Sequence, residues 1–134
     1  MSDCIFCQII RHEIPSFKVY EDKNFLGFLD INPFTPGHTI LIPKKHYRWV
    51  YDVPNFGEYW QVAQKIALNI KNSSLKPEYI SFLTIGDEVP HAHIHVIPRY
   101  PKDNLVGIYR NCRLGISNEE LKIIADKIKN DQSR

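Results

Sequence analysis

Long apolar runs are missing from this chain: no stretch approaches the ~20 consecutive apolar residues that a membrane-spanning helix needs. The amino terminus, Met1-Ser2-Asp3-Cys4-Ile5-Phe6-Cys7, has no basic segment followed by an apolar one, so it does not read as a signal peptide. Cysteine is scarce and odd in number, three in all. That excludes a disulfide framework and points to a reducing, cytoplasmic setting. Charge of one sign is lacking as well. The 17 basic side chains against 15 acidic ones leave a net +2, which gives no electrostatic footprint for nucleic acid or a membrane surface. Internal repeats, low-complexity tracts and linkers are absent. What remains is 134 residues with 43% hydrophobic and 24% charged content, the profile of one globular domain with a real core.

The run His91-Ala92-His93-Ile94-His95-Val96-Ile97-Pro98 organises the rest. Alternation of imidazole and apolar residue is the period-2 signature of a strand buried on one side. It puts His91, His93 and His95 on one face, neighbouring rings ~7 Å apart, with Ala92, Ile94 and Val96 turned into a core. A helix would scatter the three rings, because residues two apart do not share a helical face. Rings satisfied by neighbours or water, and a histidine-rich metal patch, are the alternatives. Three imidazoles in a row suit phosphoryl chemistry, because near neutral pH the group serves as nucleophile, acid, base or cation.

Two further features carry chemistry. Cys4 and Cys7 form a Cys-x-x-Cys knuckle, and His38 and His46 lie between it and the triple histidine. Zinc takes four Cys and His ligands in a tetrahedron, and such a knuckle supplies two. A redox pair or two buried thiols are the other readings, although a redox motif belongs beside a βαβ pattern and this one precedes every strand.

Periodicity and turn chemistry give the elements. Residues from Cys4 begin a short turn of helix, and 17–20, 25–30, 38–43, 79–85 and 91–98 read as strands. Residues 51–56 form a connection in which Asn55 is placed to cap a helix. Apolar residues at Tyr59, Val62, Ala63, Ile66, Ala67 and Ile70 mark one long amphipathic helix from Gly57 to about Asn72. The stretch 99–116 is irregular with turns at Gly107 and Gly115, and Ser117 to Glu120 has the form of a capping box before a closing helix. Strands in runs broken by one helix predict an α+β fold with an antiparallel sheet.

The triple-histidine run resembles the His-x-His-x-His-apolar-apolar signature of the histidine triad (HIT) family of nucleotide hydrolases and transferases. The cysteine knuckle, Leu29-Asp30-Ile31-Asn32-Pro33, Gly37-His38-Thr39-Ile40 and Pro43-Lys44-Lys45-His46 fit the same family in the same order, over residues 4–99. The resemblance implies a single HIT domain over 1–134, with 100–134 a carboxyl-terminal extension carrying a helix. It implies the HIT fold, a five-stranded antiparallel sheet with one long helix and a C-terminal helix, and a homodimer pairing the long helix and a strand edge. It implies one structural Zn2+ on Cys4, Cys7, His46 and His91, with no catalytic metal required. By the same match His93 is the nucleophile, with Nδ1–H on a backbone carbonyl and Nε2 aimed at the α-phosphorus, while His95 and His38 hold phosphoryl oxygens. Asp30 would take the ribose hydroxyls, and Ile5, Phe6, Ile9, Phe28, Ile31 and Ile40 would line the base and sugar pocket. Those six also read as plain core residues.

The implied activity is hydrolysis of purine nucleoside phosphoramidates through a nucleotidyl-histidine intermediate. Dinucleoside polyphosphate hydrolysis, nucleotidyl transfer, and a non-catalytic zinc-stabilised nucleotide-binding module are the rival readings. One segment departs from the family: Gly86-Asp87-Glu88-Val89-Pro90-His91 has acidic residues where many members have Gln and Ser or Thr.

Overall fold

The computed structural model describes residues 4–105 and 115–132, and Gly107 lies outside them. Five antiparallel strands, β1 (Lys18–Glu21), β2 (Phe25–Leu29), β3 (Thr39–Pro43), β4 (Tyr79–Leu83) and β5 (Ile94–Arg99), form one sheet in the order β1-β2-β3-β5-β4. Three α-helices, α1 (Ile5–Ile10), α2 (Phe56–Lys71) and α3 (Asn118–Gln132), complete the α+β arrangement the sequence predicts. A 3₁₀ turn at Val50–Asp52 adds an element that the sequence reading left as plain connection.

The central strands are apolar on both faces because both faces are covered. On one side Phe25, Leu29, Leu41, Ile94 and Val96 pack against Tyr59, Val62, Ala63, Ile66 and Ile70 of α2 and Leu121, Ile124 and Ile128 of α3. Each fully buried isoleucine in this layer stabilises the fold by roughly 1.5–3 kcal/mol. Tyr59 stacks on Phe25 with ring centroids 5.1 Å apart and donates its hydroxyl to the Leu41 carbonyl at 2.9 Å. On the other side Leu26, Phe28, Ile40 and Ile42 meet Cys4, Phe6, Cys7 and Ile9 from the amino-terminal segment. Leu26 and Phe28 alternate with Phe25 and Leu29 along β2, so one strand feeds both cores.

The helix ends follow their local chemistry. Asn55 stands at the N-cap of α2 but makes no side-chain capping bond. Ahead of α3, the Ser117 hydroxyl accepts the Glu120 N–H at 3.1 Å, the main-chain half of the expected capping box. Gly37, entering β3, has φ +92°, and a Cβ there would meet Leu75 at 3.0 Å and Pro98 at 3.2 Å. Only glycine fits that turn without strain.

The histidine run differs from the sequence expectation at its start and its end. β5 begins at Ile94, so His91, Ala92 and His93 precede the ladder. Pro90 has no N–H to donate, the His91 N–H goes to Val89 O at 2.9 Å, and the Ala92 N–H goes to Tyr47 O at 2.7 Å. Donors committed outside the sheet cannot join it. Alternation survives nevertheless, with Ala92, Ile94 and Val96 in the helix-side core. Pro98 stays inside β5, paired with Ile80, and the strand ends one residue later.

Candidate functional site

Two clusters of ligand-type side chains stand on the face of the sheet opposite α2. The first gathers Cys4 and Cys7 from the start of α1, His46 from the loop after β3, and His91 from the approach to β5, with ligand atoms all within 4.8 Å of one another. Cys4 Sγ lies 3.3 Å from His91 Nδ1, and Cys7 Sγ lies 3.3 Å from His46 Nδ1 and 3.5 Å from His91 Nδ1. The two Nδ1 atoms are 3.2 Å apart. Bonds of ~2.3 Å to sulfur and ~2.05 Å to nitrogen give a tetrahedral S2N2 site with edges of about 3.3–3.8 Å, so this chain's own side chains already sit near the corners of one.

Tautomers fit the same purpose. His91 Nε2–H donates to the Pro43 carbonyl at 2.9 Å, which leaves the Nδ1 lone pair facing the cluster. Burial pulls His91 down to about 4 and also lowers His46, so both rings are neutral ligands at neutral pH. Burial, then the neighbouring Cys4, pushes the Cys7 thiol up to about 11. A bound dication reverses that preference by stabilising the thiolate. The group therefore could hold a metal ion.

The second cluster contains Asp30, His38 and His95, joined on its edge by His93. The Phe34 N–H donates to His38 Nδ1 at 3.0 Å. That makes His38 an acceptor at Nδ1 and a donor at Nε2, and Nε2 lies 2.9 Å from His95 Nδ1. His95, accepting there, carries its proton on Nε2 in the neutral ring. Phe34 also stacks on His38, ring centroids 5.2 Å apart at 7°. The Asp30 carboxylate reaches within 3.7 Å of His38 Nε2, while its other oxygen accepts the Asn32 N–H at 2.8 Å in a local turn.

His93 Nδ1–H donates to the His91 carbonyl at 2.8 Å, which leaves Nε2 as an unprotonated nitrogen. Burial lowers the His93 pKa, so the neutral, nucleophilic form prevails at neutral pH. Phe6 stands edge-on to both His91 and His93, at 5.9 and 5.2 Å between centroids, and ties the two clusters together. Thr84, just past β4, donates its hydroxyl to the His93 carbonyl at 2.8 Å.

Of the six expected pocket residues, Phe6, Ile9, Phe28 and Ile40 are buried in the second core, while Ile5 and Ile31 are 46% and 62% exposed. Asp87 and Glu88 are both exposed. Sequence reasoning missed Phe34, the Pro43 and His91 carbonyls, and Arg48, which stacks over Trp49 at 3.7 Å and donates to the Gly86 carbonyl at 2.8 Å. The only sequence signal for Arg48 is a basic residue beside a tryptophan soon after His46.

Residues 11–102 match the HIT domain. The chain is 42% identical to an uncharacterised HIT-like protein of Borreliella burgdorferi, over 96% of this chain and 97% of that protein. It is 40% identical to the adenosine 5'-monophosphoramidase HNT1 of Saccharomyces cerevisiae, over 72% of this chain and 62% of that protein. The crystal structure of a Zn-bound histidine triad family protein from Mycobacterium smegmatis superposes with a TM-score of 0.83 at 31% identity, covering 98% of this chain and 94% of that one.

Proposed function

The chain belongs to the HIT domain family, and from that premise we infer that it is a nucleotide hydrolase acting on purine nucleoside phosphoramidates through a nucleotidyl-histidine intermediate. The observation that carries the reading is the proton arrangement around His93, whose Nδ1–H is engaged by the His91 carbonyl at 2.8 Å. Nε2 attacks the α-phosphorus while His95, its own Nδ1 engaged by His38, presents an Nε2–H. That proton hydrogen-bonds a phosphoryl oxygen or passes to the departing nitrogen. Water then cleaves the phosphorus–His93 bond, returns a proton to His95 and releases the nucleoside monophosphate.

Asp30 accepts the ribose hydroxyls in this reading, and Ile5, Phe6, Ile9, Phe28, Ile31 and Ile40 line the base and sugar pocket. The phosphoramidase activity named for the yeast relative supports the choice of substrate. Cys4, Cys7, His46 and His91 hold one zinc ion. Four protein donors close the site, so the metal is structural, tying α1 to the segment that presents His93. No step of the chemistry passes through it.

The chain works as a single HIT domain in the cytoplasm, which free, reduced cysteines suit. Two copies pair through α2 and the β4 edge, a pairing supported by exposed Leu68, Tyr79 and Phe82 on that side. No helix among the described residues is long and apolar enough to cross a membrane. A panel of adenosine and guanosine phosphoramidates, diadenosine polyphosphates and nucleotidyl acceptors, read by mononucleotide release, tests the assignment. Release of AMP from the phosphoramidate with the highest kcat/KM supports it, and exclusive turnover of polyphosphates contradicts it.

A further inference from the structure

The loop that carries His38 is gripped from outside the two clusters. Thr35 is buried and donates its hydroxyl to the Pro98 carbonyl at 2.6 Å. Tyr100 donates its hydroxyl to the Pro36 carbonyl at 2.6 Å. Between these two bonds Phe34 joins Ile97 and Leu105 in a small third core. Residues 98–105, the end of β5 and the turn after it, thus hold residues 34–36 through two hydrogen bonds and an apolar contact.

That turn is unusual in its own backbone. Lys102 and Asn104 have φ of +67° and +60°, a region that residues with a side chain seldom adopt and keep only when their surroundings enforce it. Buried Arg99 does the enforcing. It donates to the Asp103 carboxylate at 2.8 and 3.1 Å and to the Leu105 carbonyl at 2.6 Å. Asp103 in turn accepts the N–H groups of Tyr100 at 2.9 Å and Leu105 at 3.1 Å. A strained turn locked by an ion pair therefore brings Leu105 to Phe34, and residues 103–105 lie past the stretch that matches the HIT domain.

The grip bears on a proton. The Phe34 N–H faces His38 Nδ1 at 3.0 Å, so Nδ1 accepts and the His38 proton sits on Nε2. From there it is donated to His95 Nδ1 at 2.9 Å, which leaves the His95 proton on Nε2. Two neutral rings allow a second, reversed arrangement. With the His38 proton on Nδ1, its Nε2 becomes the acceptor, His95 donates from Nδ1, and His95 Nε2 is bare. A bare Nε2 has nothing to give a phosphoryl oxygen or a departing nitrogen. The Phe34 N–H opposes that arrangement, because a proton on His38 Nδ1 would meet it donor to donor.

We propose that residues 98–105 are a positioning device: they keep the Phe34 N–H on His38 and so keep the His95 proton on Nε2. Thr35 and Tyr100 are its positioning residues. The proton placement stands on the geometry above, and its effect on turnover rests on the hydrolase reading.

The test is Thr35→Val combined with Tyr100→Phe in the full chain, which removes both hydroxyls and leaves the side-chain shapes. Long-range proton–nitrogen correlation spectra of the imidazoles, assigned with His38→Gln and His95→Gln, report where each ring carries its proton without any turnover. The unmodified chain should show protonated Nε2 and bare Nδ1 on both rings, and the double variant should show both rings shifted towards a mixture. Its kcat for an adenosine 5'-phosphoramidate should fall about tenfold, with KM within about twofold. Thr35→Ser, which restores the hydroxyl, should behave as the unmodified chain. Tyr100→Phe alone, at a half-buried ring, should move both readouts in the same direction by less. Unchanged ring protonation in the double variant overturns the proposal, even where the melting temperature or kcat falls, since the turn would then be a structural clasp. Shifted protonation in a chain that does not hydrolyse the phosphoramidate at all supports the positioning device and overturns the hydrolase reading.

Discussion

His93 Nδ1 lies 2.8 Å from the main-chain oxygen of His91, so the residue whose ring completes the sulfur–nitrogen cluster also supplies the carbonyl that orients the His93 ring. Under the proposed function, stability and catalysis therefore share one residue, through different atoms.

Loss of the metal should act on both. Purified protein should carry about one zinc per chain, and Cys4→Ser should lose it and melt at least about 5 °C lower. Its kcat should fall more than its KM rises, because the His91 carbonyl loses its support. Metal content by mass spectrometry and a thermal melt check this. Metal-free protein with an unchanged melting temperature would reduce the knuckle to a pair of buried thiols.

His93→Ala should lower turnover by about a thousandfold or more while AMP binding changes less than about threefold. Calorimetric titration of AMP and steady-state kinetics measure the two effects separately. Retention of a tenth of the activity would correspond to only about 1.4 kcal/mol, too little for removal of a nucleophile.

How far the sequence carried this picture depends on which atoms do the work. Side-chain periodicity placed β2, β3 and α2 within a residue or so, and alternation put Ala92, Ile94 and Val96 on the helix side. Residue type and spacing singled out the Cys4–Cys7 knuckle and the triple histidine, whereas the resemblance to the HIT family is what joined His46 and His91 to the knuckle and Asp30 and His38 to the triad. The start of β5 was not legible, because it depends on where the His91 and Ala92 N–H groups go, and Tyr47 O, 45 positions from Ala92, takes one of them. The carbonyls of Pro43 and His91, which set two tautomers, could not be read either: every residue has a carbonyl, and only the fold aims it.

Asp87 and Glu88 stand where many relatives of the family have neutral polar residues. Both are exposed, so if they face the leaving group of the proposed reaction their repulsion of an extra phosphate is screened to about 1 kcal/mol. Asp87→Gln combined with Glu88→Ser should raise kcat/KM for diadenosine polyphosphates several-fold and change phosphoramidate turnover little. Added salt should narrow the same gap in the unmodified protein. An unchanged substrate ratio in the double variant would show the two carboxylates acting as ordinary surface charges.

The end of β5 carries a pH-dependent clasp. Asp103 meets Arg99 at 2.8 Å, with side chains only 12% and 8% exposed. The paired guanidinium holds the Asp103 carboxyl well below the usual carboxylate range. A depressed folded-state pKa means the unfolded chain binds more protons below about pH 4, so this contribution is complete above that value and lost as pH falls through the folded pKa. Asp103→Asn should cost about 2–4 kcal/mol in urea denaturation at about pH 7. The difference from the unmodified protein should shrink steadily as pH drops below about 4. A gap independent of pH would mean that Asp103 acts only through its backbone-facing hydrogen bonds.

The covalent step is most directly tested by rapid acid-free quenching of a single turnover with an adenosine phosphoramidate, followed by intact-mass and peptide mass spectrometry. A transient adenylyl adduct should form and decay at rates that account for AMP release, map to the peptide containing His93, and sit on that imidazole. AMP formed at full rate with no adduct, or with the adenylyl group on another residue, would contradict His93 as the nucleophile.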